Sequence, residues 1–209
     1  MKRFLFLILA LLCVRSVNAG TITIQPDAAG LDATLTTSSP ASNFGAVNIL
    51  VIGELNTGAD VSHGLLKFDL SSIPSAAKLE SAQITLTVVT DYSTNARTMR
   101  VYPLLRNWVE LEATWNVYST GNAWQTAGGT GALDIGASIG SVALGASEAP
   151  GTAIVIPLTV DHKTDLGNYG FLFKTDTESD DGYAFASSDH ATPAYRPKLE
   201  ITYRLLDDN

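Results

Sequence analysis

Apolar and polar residues alternate with a period of two along most of this chain. Thr85 and Thr87 separate Ile84, Leu86 and Val88, while Glu200, Thr202 and Arg204 alternate with Leu199, Ile201 and Tyr203. Leu66, Phe68 and Leu70 share one side of their segment, with Leu65, Lys67 and Asp69 on the other. Ile22 and Ile24, Ile154 and Ile156, and Phe171 and Phe173 repeat the pattern. Such alternation puts successive side chains on opposite faces of a strand and suits half-buried antiparallel sheets. It predicts about ten short strands, divided by clusters of Gly, Pro, Asn, Ser and Asp. No window carries a 3.6-residue apolar stripe, so helix is expected only as turns, near residues 108–113 and 161–167. Many strands without crossover helices predict an all-β, antiparallel β-sandwich of jelly-roll type.

No repeat or linker divides the pattern, which predicts a single module over residues 20–209. Residues 121–151, rich in glycine and small side chains, are the exception. They read as a long loop, either a binding loop or a flexible surface excursion.

The first residues read as an address rather than as fold. Lys2 and Arg3 precede an apolar run from Phe4 to Val14, and Val17-Asn18-Ala19 offers a cleavage site before Gly20. That is a secretory signal peptide over residues 1–19, too short in its apolar run to span a bilayer. The expected location is therefore extracellular or at the cell surface, with no membrane span after cleavage. Cys13 is the only cysteine, so disulfides and thiolate metal sites are excluded from the cleaved chain. Cleavage also removes Lys2, Arg3 and Arg15, leaving 10 bases against 21 acids, a net charge of −11. Such a charge opposes nucleic-acid binding, which depends on neutralising phosphates.

Several residue groups carry candidate chemistry. Gly136 to Gly140 spells G-x-S-x-G around Ser138, with Asp161 and His190 following in the order of an α/β-hydrolase triad. The motif requires a strand-to-helix turn, and the residues after it are a poor helix, so a hydrolase is not expected. His63, His162 and His190 are too dispersed to propose a zinc site. Asp176, Glu178 and Asp180 crowd one short segment, and Asp27 and Asp32 follow the first strand. Carboxylates on turns are calcium ligands when further oxygens converge, so both groups are candidate structural Ca²⁺ sites. The alternative for the first group is a solvated hairpin tip. Trp124 and Tyr118, flanking the glycine-rich stretch, and Tyr92 on a predicted turn are candidate exposed platforms for a sugar ring. Arg97, Arg100 and Arg106 run along one predicted turn and strand, where guanidinium groups could take carboxylates.

Three segments carry a resemblance: LLKFDLSSIP at 65–74, NWVELEATWN at 107–116 and FASSDHATPAYRPKLEITY at 185–203. In this order and spacing they resemble the DNRLRE domain, also described as carbohydrate-binding module family 96, over about residues 21–204. The resemblance implies a secreted, non-catalytic β-sandwich module. Some members bind alginate, a uronic-acid polymer, through basic and aromatic side chains, which makes an acidic polysaccharide the expected partner. It also implies that Glu110 and Glu112 are structural rather than a glycosidase pair, that Trp108 and Trp115 are core residues, and that Arg196 is an anchor. The competing reading is an extracellular structural or adhesive protein that self-associates through edge strands or the glycine-rich loop.

Overall fold

A computed structural model describes residues 19–26, 31–55, 60–167, 169–179 and 181–205. Residues 1–18, Asp27 and Asp180 lie outside the described residues, so the expected signal segment, but for Ala19, lies outside them too.

The strands are β1 (Ala19–Ile24), β2 (Leu31–Thr36), β3 (Ile49–Glu54), β4 (Val61–Lys67), β5 (Ala77–Asp91), β6 (Arg97–Pro103), β7 (Val117–Ser119), β8 (Asn122–Ala123), β9 (Gly140–Leu144), β10 (Ala153–Leu158), β11 (Phe171–Thr175), β12 (Tyr183–Ala186) and β13 (Lys198–Leu205). Every pairing is antiparallel. Helix among the described residues is confined to 3-10 turns at Leu70–Ser72, Lys163–Leu166 and Pro193–Tyr195. The turn expected near 161–167 is one of them, while residues 110–112 form a plain turn.

Hydrogen-bonded neighbours follow the path β5-β10-β9-β6-β11-β4-β3-β12, and β12 pairs again with β5. Eight strands thus close into a barrel-like ring. The length of β5 makes closure possible. Its residues Ala82–Thr87 pair with β10 and Ala77–Thr85 with β13, and its far end from Val88 to Asp91 meets β12. β13 and then β1 extend outward from β5, and β2 lies along β4. The expectation of an all-β antiparallel architecture is met. Hydrogen bonding runs round the ring without a break, so it does not divide the strands into two stacked sheets.

Alternation sorts the side chains into two apolar layers. Ile84, Leu86, Val101, Phe171, Phe173, Phe185 and Ile201 face the interior of the ring and are fully buried or nearly so. Gly64 allows this packing, because a Cβ there would meet Leu50 and Ile52 at 3.0–3.1 Å. Leu35, Leu65 and Leu172, one residue out of phase with that interior, belong to a second cluster with Leu104, Trp108, Ala113 and Trp124. This outer cluster is roofed by the excursion between β6 and β9.

The excursion is tied down rather than loose. The Asp134 carboxylate accepts the N–H groups of Gln125, Thr126 and Gly131 and the Arg106 Nε–H. Gly128 donates its N–H to the Trp115 carbonyl at 2.6 Å, with φ at +82° and no room for a Cβ against the indole. The first half of the glycine-rich stretch is therefore the cover of an apolar layer, and its glycines serve close backbone approach.

Candidate functional site

The outward side of β6 and β11 carries the densest set of polar, sugar-compatible groups. Met99 and Val101 point inward, so Thr98, Arg100 and Tyr102 point outward. On β11, Phe171 and Phe173 point inward and Lys174 outward, and Lys174 is the register partner of Arg100. On the other flank Arg100 is opposite Ser141 of β9. Beyond it Ser141 and Ala143 of β9 and Ala153, Val155 and Pro157 of β10 are exposed, giving a strip of small side chains.

Glu178 organises the opposite flank. Its Oε1 lies 2.5 Å from Lys174 Nζ and 2.8 Å from His63 Nε2. Burial raises the Glu178 pKa, but the hydrogen bond and charge of His63 and those of Lys174 outweigh it and hold the group at about 2. Its backbone takes φ +50°, a left-handed conformation that a non-glycine residue adopts at a cost. His63 Nδ1 meets the Gly128 carbonyl at 2.7 Å. Both ring nitrogens thus face oxygen atoms of the fold. The His63 ring packs on Trp115 at 4.9 Å between centroids. Trp115 is half-buried. Contacts therefore run Lys174, Glu178, His63, Trp115, with Arg100 beside Lys174 as its register partner. Arg100 is the arginine left without a hydrogen bond or ion pair among the described residues.

The sequence candidates separate on this geometry. Arg106, Tyr118 and Trp124 come together, but as a structural stack. Arg106 lies over the Tyr118 ring at 5.5 Å, and Tyr118 meets Trp124 at 5.5 Å. Arg106 is spent on buried Asp134. Trp124 is not the exposed platform expected: it is 5% exposed, and its Nε1–H donates to the Thr114 carbonyl at 2.9 Å. The cover over Leu65 and Leu172 needs a large apolar group there. Trp115, expected in the core, is the more accessible of the two, while Trp108 is buried as expected. Tyr92 is 47% exposed, at the end of the barrel where its N–H donates to the Gly182 carbonyl. Arg97 sits at that same end, donating to the Ser179 carbonyl and lying 3.8 Å from Asp181.

Of the acidic candidates, Glu178 turns toward His63 and Lys174, whereas Asp176 accepts the Thr98 N–H and the Thr177 hydroxyl. The two carboxylates serve different partners. Asp27 and Asp180 cannot be placed, and among the described residues no three acidic, histidine or cysteine side chains form a ready cage for a metal. The G-x-S-x-G segment runs into β9 instead of a helix, and Ser138 donates to the Gly140 carbonyl. A cavity of about 260 Å³ between β2 and β3 is lined by Phe44, Val47, Ile49 and Val51 with threonine and serine hydroxyls. Those hydroxyls are engaged: Thr34 accepts the Val51 N–H, and Thr36 bonds Ser38.

A family model, that of carbohydrate-binding module family 96, matches residues 23–128. The chain belongs to carbohydrate-binding module family 96. A search of curated proteins matches none to this chain. Membership makes a carbohydrate the partner class, and the family is one of binding modules. The matched stretch contains Arg100, Trp115 and His63. Lys174 and Glu178 lie beyond it, Lys174 on β11, which the ring holds against β4 and β6, and Glu178 just after that strand. Among the described residues of the module, no helix is long and apolar enough to cross a membrane.

Sequence reasoning missed Lys174 and His63 and placed Trp115 deeper than its half-buried position against the outer cluster. The alternation in FLFKT already puts Lys174 opposite the two phenylalanines. Its register with Arg100 and the roofing of the outer layer depend on pairings far apart in sequence.

Proposed function

We propose that this family-96 module is a secreted, non-catalytic binder of acidic polysaccharide, and that its ligand crosses the outward side of β6 and β11. The observation that carries this reading is Arg100, unpaired beside Lys174 on an open strip. A planar guanidinium with free N–H groups is suited to bidentate recognition of a uronate carboxylate. The half-buried Trp115 supplies an apolar face at the other end of the chain of contacts for the C–H side of a pyranose. The apolar groove between β2 and β3 offers no charge to an acidic sugar. We read the ring as a flattened jelly-roll sandwich whose two walls meet across the inner apolar layer. Export would follow cleavage ahead of Gly20, leaving β1 all but complete, and N-terminal sequencing of the exported protein tests that directly.

Binding to a uronic-acid polymer such as alginate, measured beside a neutral glucan at low and high salt, tests the ligand class. The reading expects binding to the uronate polymer that weakens with salt and little to the glucan. Equal binding to both, unchanged by salt, would contradict it. One observation favours the structural or adhesive alternative. β1, of sequence AGTITI, is the last strand of its sheet path and carries no charge or proline to blunt its outer edge. Concentration-dependent association in sedimentation, without polysaccharide binding, would favour that reading.

A further inference from the structure

Asp32, the second residue of β2, is a fully buried carboxylate without a cationic partner among the described residues. Its Oδ2 accepts the Ser188 N–H at 2.6 Å, and its Oδ1 has no hydrogen-bond partner. Its own N–H donates to Glu110 Oε1 at 3.0 Å. Asp189 directly follows Ser188, and its charge acts on both Asp32 and Glu110. Three carboxylates from three distant parts of the chain are thus gathered: the start of β2, the cover segment and the turn after β12. None of the three forms an ion pair among the described residues.

The other fully buried aspartates are treated differently. Asp134 has Arg106 at 3.3 Å, and Asp181 has Arg97 at 3.8 Å. A buried carboxylate without such compensation is costly. Burial, followed by the charges of Glu110 and Asp189, lifts Asp32 to about 6 against the bonds from Ser188. Protonation is one way to relieve that cost, and a bound cation is another.

We propose that Asp32 Oδ1 is a ligand to a hard divalent cation of calcium's size, with the Glu110 and Asp189 carboxylates beside it. The three side chains do not close on one point as a complete cage. That argues against zinc, which takes a small fixed set of side-chain ligands, and suits calcium, whose six to eight oxygens commonly include backbone carbonyls and water. A cation here would pin the cover segment to β2 and to the turn after β12, holding in place the excursion that presents Trp115. The inference stands apart from the choice of polysaccharide.

Calcium chloride alone, titrated calorimetrically into the purified, EDTA-treated protein and paired with thermal melts, tests it. The expected result is one site whose filling raises Tm. Asp32→Asn should weaken that site on the order of tenfold or more, through loss of a charged ligand, while Asp176→Asn leaves it unchanged. Should Asp32→Asn fail to fold, Glu110→Gln, at a half-buried side chain, carries the same expectation. No heat and no Tm shift with calcium in the unaltered protein would overturn the proposal and leave Asp32 as a buried acid without a cation. Loss of the site in Asp176→Asn with retention in Asp32→Asn would overturn it too, moving the ion to the acidic segment.

Discussion

Two clusters on this module are built from the same residue types and do opposite things. Around Asp134, an arginine, a tyrosine, a tryptophan and a carboxylate are consumed by one another: Arg106 is bonded to Asp134 and stacked on Tyr118, and Trp124 is sealed beneath. Around Glu178, an arginine, a lysine, a histidine, a tryptophan and a carboxylate form a similar set with one member left over. Glu178 is engaged by Lys174 and His63 but makes no bond to Arg100. The difference teaches that residue type alone does not say whether a cluster is closed on itself or open to a ligand. What separates them is whether each charged group already has its partner inside the fold.

The largest effect should come from the sealed cluster. Trp124→Ala should cost about 3–5 kcal/mol, as for other buried aromatics, and lower Tm accordingly. A loss near that of a surface substitution would break the assignment of Trp124 to the core. Asp134→Ala should come next, at about 2–4 kcal/mol, because three loop N–H groups and Arg106 lose their common acceptor. Denaturant unfolding of both variants checks the order.

Acid should sharpen the contrast from the other side. The folded pKa of Glu178, about 2, lies below the ordinary 4.5. Its stabilisation is therefore complete above pH 4.5 and is lost as pH falls toward 2. About 1–2 kcal/mol of acid sensitivity, discounted for its partial exposure, should vanish in Glu178→Gln. The same variant should free Lys174 and tighten binding to a uronate polymer, and weaker binding would count against a cationic face. Trp115→Ala should be milder for stability than Trp124→Ala while reducing binding, which a single titration with paired melts would show.

Period-two alternation made the strands legible, from Ile84-Leu86-Val88 in β5 to Leu199-Ile201 in β13, because one-sided burial writes itself into neighbouring positions. Closure of the ring was not legible, since it depends on β5 being long enough to serve three partners. The glycines of 126–131 read as part of a binding loop or a flexible excursion but serve close packing, against Trp115 at Gly128 and Asp134 at Gly131. Arg100 was visible as a candidate because it is a cation on an alternating strand. That Arg106 is spent while Arg100 is not rests on Asp134, 28 residues away, and no local pattern reports it. Trp124 is sealed, and Trp115 lies half-buried against the outer cluster, for the same reason: the cover folds over β4 and β11, strands that lie far outside its own sequence.

The most direct measurement compares Arg100→Ala with the unaltered protein by calorimetric titration with a uronate polymer. Thermal melts run alongside should show a stability change within about 0.5 kcal/mol, as expected for an unpaired surface residue. Affinity should fall on the order of tenfold, the weight of one charge-assisted, bidentate contact. Unchanged affinity in a stable Arg100→Ala protein would contradict the placement of the ligand on this face.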